Sequence, residues 1–368
     1  MRIPFHRHVH RWLGGYLSQA AERLAARQNH DDTVHVLFAL CDHYEPLWGD
    51  VSETQGRERV ARWVDNYGRA FGEFRDADGR PPIHSFFFPG EQYHPYYLDA
   101  LGKLVTSGYG EVEVHLHHDG DDAQRLAHDL SEYTTTYALH GHLTRDTLGR
   151  PRYAFIHGNW CLANSRSDGR YCGVDSELDV LFRTGCYADF TFPSAPDETQ
   201  PGIVNRIYWP TGNAKAARAH EAGVPARVGT MMEDRILMIE GPLALARRRR
   251  GFGFRIENSA LTANDPGTPE RVATWVSQGI HVQGRPEWVF VKVHTHGAPE
   301  AQAEALLGEP GRAMHRELAR AYNDGKRFVL HYVSAREMFN IAVAGMQGFS
   351  GDPNLYRNHA LPPPPLAA

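Results

Sequence analysis

The feature that most restricts the fold is a repeated alternation of short apolar runs with longer stretches whose apolar residues recur at helical spacing. Val34-His35-Val36-Leu37-Phe38-Ala39-Leu40-Cys41 has strand length and no polar face, as expected of a buried parallel strand. It ends in the polar turn Asp42-His43-Tyr44-Glu45-Pro46. Val60, Trp63, Val64, Tyr67, Phe71 and Phe74 then form one helical stripe, which Gly79-Arg80-Pro81-Pro82 breaks. A second strand is predicted over 83–88, a helix through Leu98, Leu101, Leu104 and Val105, and a third strand over 111–115. Helix is expected around 121–140, strand over 153–159, helix over 177–185 and strand over 187–193. Further strands are expected over 235–240, 289–294 and 327–332, with a helix near 299–324. Strand then helix, about seven times over, predicts an α/β chain: a single distorted TIM-like (β/α)7 barrel of parallel strands with helices outside. The expected organisation is an N-terminal amphipathic helix over 1–30, the barrel over 31–345, and a Pro-rich tail over 346–368. That tail is expected to be extended and partly mobile, since Leu361-Pro362-Pro363-Pro364-Pro365 cannot continue a helix.

Composition narrows the classes of function. A formal net charge of -5 gives no basic surface for nucleic acid. The four cysteines, at 41, 161, 172 and 186, form no C-x-x-C pair, which argues against a thiolate zinc site. Cys161 and Cys172 would pair only in a secreted chain, and separate buried thiols are the commoner arrangement. The basic N-terminus lacks the apolar core of a secretory signal, and no run of 18 apolar residues is present. The expected location is therefore the cytoplasm or the inner membrane face. Val9, Trp12, Leu13, Tyr16 and Leu17 lie at helical spacing beside Arg and His. Packing on the chain's own domain is the favoured reading, and peripheral contact with anionic lipid is the alternative. The run Arg247–Arg250 reads as a solvated face.

The 22 histidines are the compositional oddity, and they gather at strand ends. In parallel barrels the loops at the C-terminal ends of the strands form the active site. Here those ends read Asp42-His43-Tyr44-Glu45, Glu91, His115-Leu116-His117-His118-Asp119, His157-Gly158-Asn159-Trp160 and His294-Thr295-His296. Any one histidine alone is more often a core or surface residue, but four such ends together point to a shared site. Imidazoles and carboxylates with an open position suit a divalent transition metal. Such an ion polarises a carbonyl, a carboxylate beside it takes a proton from water, and a histidine opposite protonates the leaving group. Trp48, Trp160 and Tyr93 offer aromatic faces to a sugar, although single aromatics are more often core.

Three of these stretches resemble the polysaccharide deacetylase (NodB-like, carbohydrate esterase) superfamily. They are Ser85-Phe86-Phe87-Phe88-Pro89-Gly90, the helix and strand from Leu98 to His115, and Gly185-Cys186-Tyr187-Ala188-Asp189-Phe190-Thr191-Phe192-Pro193. The resemblance spans roughly residues 34–340. It implies that Asp42-His43 stands where the family has an Asp-Asp pair, with Asp42 the base and His43 a metal ligand. It also implies His115 as a metal histidine, with Asp119 at the partner position four residues on. His117 rivals Asp119, because alternate strand residues face one way, and Glu45 rivals His43. His294 or His296 takes the place of the late acid. The family's arginine motif has no counterpart; His157-Gly158-Asn159-Trp160 stands there, and His157, Asn159, Trp160, Glu45 and Glu91 are read as substrate contacts. The implied activity is metal-dependent removal of an acyl group, N-acetyl above all, from an amino sugar of a polysaccharide or glycolipid precursor, with zinc the expected metal and a carbohydrate the partner. One alternative is a glycoside hydrolase, pairing Asp42 or Glu45 with Asp189 or Glu91 at roughly 5 to 10 Å. Another is a barrel that binds glycan or metal without turnover.

Overall fold

A segment buried on both faces, β1 (Val34–His43), is the centre of the sheet in the computed structural model, which describes residues 8–27, 33–247 and 253–368. Along one edge β1 pairs in parallel with β13 (Trp288–Thr295). Its other edge is divided: β14 (Phe328–Tyr332) pairs with Val34–Phe38, and β2 (His84–Pro89) pairs with Leu40–His43. From β2 the sheet continues in parallel through β3 (Gly110–Leu116), β5 (Pro151–His157), β6 (Cys186–Asp189) and β9 (Leu237–Ile239). It ends in antiparallel β7 (Ile207–Pro210) and β8 (Gly223–Pro225). β12 (Ala260–Leu261) lies beside β13, β4 (Thr144–Arg145) runs antiparallel to β5, and β10 (Ala244–Arg247) with β11 (Phe254–Glu257) forms a separate hairpin. The chain is thus mixed α/β with a large, mostly parallel sheet.

The helices are α1 (Val9–Arg27), α2 (Glu53–Phe71), α3 (Pro95–Thr106), α4 (Ala123–Leu139), α5 (Glu177–Arg183), α6 (Pro269–Ser277), α7 (Glu300–Leu307), α8 (Glu309–Tyr322) and α9 (Ala335–Met346). Because successive strand residues face opposite sides, the two faces of β1 serve two cores. Val36, Phe38 and Leu40 join a cluster with Trp63 and Tyr67 of α2, Leu101 of α3 and Leu318 of α8. Leu37, Ala39 and Cys41 join Ile156, Ala188, Phe290 and the α9 residues Met338, Ile341 and Ala342. Trp12 of α1 packs with Ala195, Val204 and Leu243.

Several expectations are corrected. The helix expected near 299–324 is two, divided at Gly308, because Pro310 at the start of α8 cannot continue α7. Phe74 falls beyond the end of α2. α9 follows β14 and is buried at every residue, so it has no solvent-facing side to set off an amphipathic stripe. Antiparallel β7 and β8 and the β10–β11 hairpin are likewise additions to the expected alternation. The tail is docked: Leu361 is buried, its carbonyl accepts from Arg336 and Asn340, and the Pro362 carbonyl accepts from Thr144. Of the arginine run, Arg247 ends β10, and Arg248–Arg250 lie outside the described residues. All four cysteines are free and buried.

Arg336 and Glu337 of α9 are structural, and each pairs with residues outside the helix. Arg336 donates to Glu111 of β3 through Nε at 3.0 Å and Nη2 at 2.7 Å, inside the core. Glu337 closes a capping box with Ser334 and pairs with Arg80 and Arg357. Removing one member of a buried pair leaves the other charge uncompensated, so Arg336→Met is expected to cost about 3–5 kcal/mol in chemical denaturation. The double change Arg336→Met, Glu111→Leu should recover most of that loss; a single variant within about 1 kcal/mol of wild type contradicts the assignment.

Two residues further along the same face of β3, burial pushes the Glu113 carboxyl from 4.5 up to about 8, against hydrogen bonds from Tyr187 Oη at 2.5 Å and Ala154 N at 2.6 Å. The folded chain therefore keeps a proton that the unfolded chain releases. The stability this confers is complete below about pH 4.5 and is lost as pH rises through about 8. Unfolding measured across that window should show a flatter pH dependence for Glu113→Gln than for wild type.

Candidate metal centre

The C-terminal ends of β1, β2, β3 and β13 gather polar side chains around one buried carboxylate. Register achieves this: Cys41 lies opposite His294, His43 opposite Phe87 and Pro89 opposite His115. His115 and His117 project from the same face of β3 as Glu113, as alternation requires. Glu45, two residues past β1, is 1% exposed and meets three imidazoles. His117 Nε2 lies 2.9 Å and His115 Nε2 3.2 Å from its Oε1, and His296 Nδ1 lies 3.1 Å from its Oε2. Glu45, His115 and His117 each place a ligand atom within 4.8 Å of the others.

The hydrogen bonds specify which nitrogens are available. A carbonyl only accepts, so the 2.7 Å contact of His115 Nδ1 with Ile156 O places the proton on Nδ1. A neutral His115 then turns the Nε2 lone pair toward the Glu45 carboxylate, two acceptors 3.2 Å apart that a cation between them would reconcile. Glu91 accepts from His117 Nδ1 at 2.6 Å, the carboxylate–imidazole arrangement that orients a metal histidine. Gly158 is required here, because a Cβ on it would strike the His117 ring.

Electrostatics follow from burial and these contacts. Burial alone would raise Glu45, but the imidazoles of His115, His117 and His296 around it hold it well below the carboxylate range. Burial opposes a charge on His117, yet Glu45 and Glu91 together push it up to about 10. Burial holds His43 well below 6.5, with His296 and His115 adding to the effect, and His294 is depressed by burial and then by Lys292. His43 lies with ring centroids 5.0 Å from His115 and 4.6 Å from His296, and its buried Nε2 has no hydrogen-bond partner; nor has Nδ1 of His294. His296 has the ring of Trp48 at 5.0 Å and that of Trp160 at 6.3 Å; Trp48 is 48% exposed.

The sequence-derived residues therefore divide. His115, His117, Glu45, Glu91, His43, His294, His296 and Trp160 come together. Asp42 does not supply a free carboxylate: it is fully buried, Oδ2 takes His84 Nε2 at 2.9 Å and Oδ1 takes Gly297 N at 2.6 Å. Its place is to position the chain after His296, and a Cβ on Gly297 would collide with it. Asp119 accepts from Tyr171 N at 2.7 Å and stays outside the cluster. Asn159 is exposed at the start of the following loop, and Tyr93 pairs with His140. Asp189 is fully engaged with Thr191. His157 faces the other side of the sheet, where it meets His118, Cys172 and Glu177. That second group was not legible as a site, because its ligands span residues 118–177 without a spacing motif. Buried His, Cys and Glu groups in this protein can thus hold a metal ion.

No protein-family model matches the chain, and no curated protein matches it in sequence. Among the described residues no helix is long and apolar enough to cross a membrane.

Loss of a ligand should weaken divalent-metal binding more than about tenfold in Glu45→Gln and in His115→Ala, measured by calorimetric titration of the stripped protein. Asp119→Ala should bind as wild type does. The reverse order would restore Asp119 to the site.

Proposed function

We propose that the protein is a metal-dependent hydrolase that removes an acyl group, N-acetyl above all, from an amino sugar of a polysaccharide or glycolipid precursor. The observation that supports this reading most is the Glu45–His115–His117 group, one carboxylate and two imidazoles at the C-terminal ends of parallel strands. On this reading the sheet is a distorted TIM-like barrel and the group lies in its mouth. Zinc is the metal proposed, since a set of three nitrogen and oxygen donors leaves a position open, as catalytic zinc sites do. When bound, such an ion supplies Lewis acidity toward an amide carbonyl and toward water.

The chain's own residues do the rest. Glu91 orients His117, and Ile156 O orients His115. His43 and His294, kept neutral by burial and each with an unbonded ring nitrogen, are the groups we assign to carry the proton between water and the departing amine. Asp42 acts at one remove, by fixing Gly297 and so His296. Trp48 and Trp160 flank His296 and offer ring faces to the C–H surface of a sugar.

Metal-replete protein should release acetate from N-acetylated amino-sugar oligomers, and chelation should abolish the release. His43→Ala should lower the rate by about 10²–10⁴-fold while metal content stays at the wild-type level. Absence of acetate from every such substrate, with metal bound, would remove the hydrolase reading and favour a barrel that binds without turnover.

A further inference from the structure

Behind the first group, on the opposite face of the same strand ends, lies a second and more enclosed set of ligands. His118 follows β3, His157 is the last residue of β5, Cys172 lies in the loop after β5, and Glu177 is the first residue of α5. His157, Cys172 and Glu177 are fully buried. Nε2 of His118 lies 3.0 Å and Nε2 of His157 3.3 Å from Glu177 Oε1, Cys172 Sγ lies 3.5 Å from Glu177 Oε2, and all four ligand atoms lie within 4.8 Å of one another.

The contacts around the set orient it inward. His157 Nδ1 meets the Gly158 carbonyl, which only accepts, so the proton is on Nδ1 and Nε2 presents a lone pair. That Nε2 is buried without a hydrogen-bond partner, although a carboxylate oxygen is beside it. His118 likewise turns Nε2 inward, with Asp121 Oδ2 3.2 Å behind its Nδ1. Glu177 Oε2 accepts from Ala163 N at 2.6 Å, leaving Oε1 as the inward oxygen. His157 thus has an acceptor behind it and a lone pair in front, the arrangement of a metal-binding histidine, and His118 has a carboxylate behind its ring.

We infer that His118, His157, Cys172 and Glu177 form a second metal site, for a divalent ion of the zinc or cobalt class held by two imidazoles, one thiolate and one carboxylate. Two anionic and two neutral ligands cancel the charge of a divalent ion, so the loaded site is neutral in a buried place. Binding replaces the Cys172 thiol proton with the metal, and the proton leaves to solvent. Four protein ligands leave no open position, which makes the site structural. It fastens the loop over residues 158–176, which has no long regular element and carries Trp160 toward His43 and His296, to the end of β3. This inference stands without the hydrolase reading.

The test uses the full chain, stripped of metal and titrated with Co²⁺. Cys172 is the single cysteine in either of the two groups, so a thiolate-to-cobalt charge-transfer band reports this site alone. One equivalent of cobalt should produce the band in wild type and in His115→Ala, and the band should be absent from Cys172→Ser. His157→Ala should weaken the cobalt affinity read from the band more than about tenfold. If Cys172→Ser does not fold by circular dichroism, the band in wild type and its weakening in His157→Ala decide the matter. Cobalt uptake without a thiolate band, a band that persists in folded Cys172→Ser, or no uptake at all overturns the second site. A band with no hydrolysis of any acetylated sugar would instead overturn the hydrolase reading and leave this site in place.

Discussion

The arrangement depends on β1 and on the strands it holds in register. Pairing with β13 on one edge, and with β14 and β2 on the other, sets His43 and the following Glu45 between the histidines of β13 and those of β3. Strand side chains have a period of two, so a slip of one residue would exchange the two faces. Glu45 would then leave the imidazoles, and Leu37, Ala39 and Cys41 would leave the core shared with α9. Packing along the strand and chemistry at its end are therefore set by the same register.

The second constraint is electrostatic. Two buried carboxylates, Glu45 and Glu177, each sit among imidazoles, and the far nitrogens of His115, His117 and His157 are engaged by a carbonyl or a carboxylate. Burying a carboxylate is costly unless it is paired and hydrogen-bonded, which is why histidine, able to be cation or ligand, surrounds both. His117 and His118 are adjacent in sequence and serve opposite faces, so one strand end supports both groups. The difference between them lies in what else is present. Glu45 has an exposed tryptophan nearby, whereas Glu177 has a buried thiol.

Much of this was legible from local pattern. β1, β2, β3, β5, β13 and β14 fall on the predicted apolar runs, α2 and α3 on the predicted stripes and α4 within the stretch expected as helix, because a buried strand or an amphipathic helix leaves its period in the sequence. Parity alone placed His115 with His117. Parity carries no information on α9, whose whole circumference is buried, or on the tail, which is held by Arg336 and Asn340 from elsewhere in the chain.

What the sequence determined by itself was the alternation of strand and helix, and with it a set of histidines and carboxylates at the C-terminal ends of parallel strands. Local spacing suffices for that, since strand and helix periods are properties of a few consecutive residues. Tertiary structure decided which of those residues share a site. Asp42 reads as a free carboxylate until His84 and the Gly297 amide are seen to occupy it, and Asp119 reads as a ligand until Tyr171 N does. Glu177 and Cys172 read as ordinary helix-start and loop residues until β5 brings His157 beside them. Hydrogen-bond partners distant in sequence settle the role of a polar group, because a buried donor or acceptor is satisfied by whatever the fold places next to it.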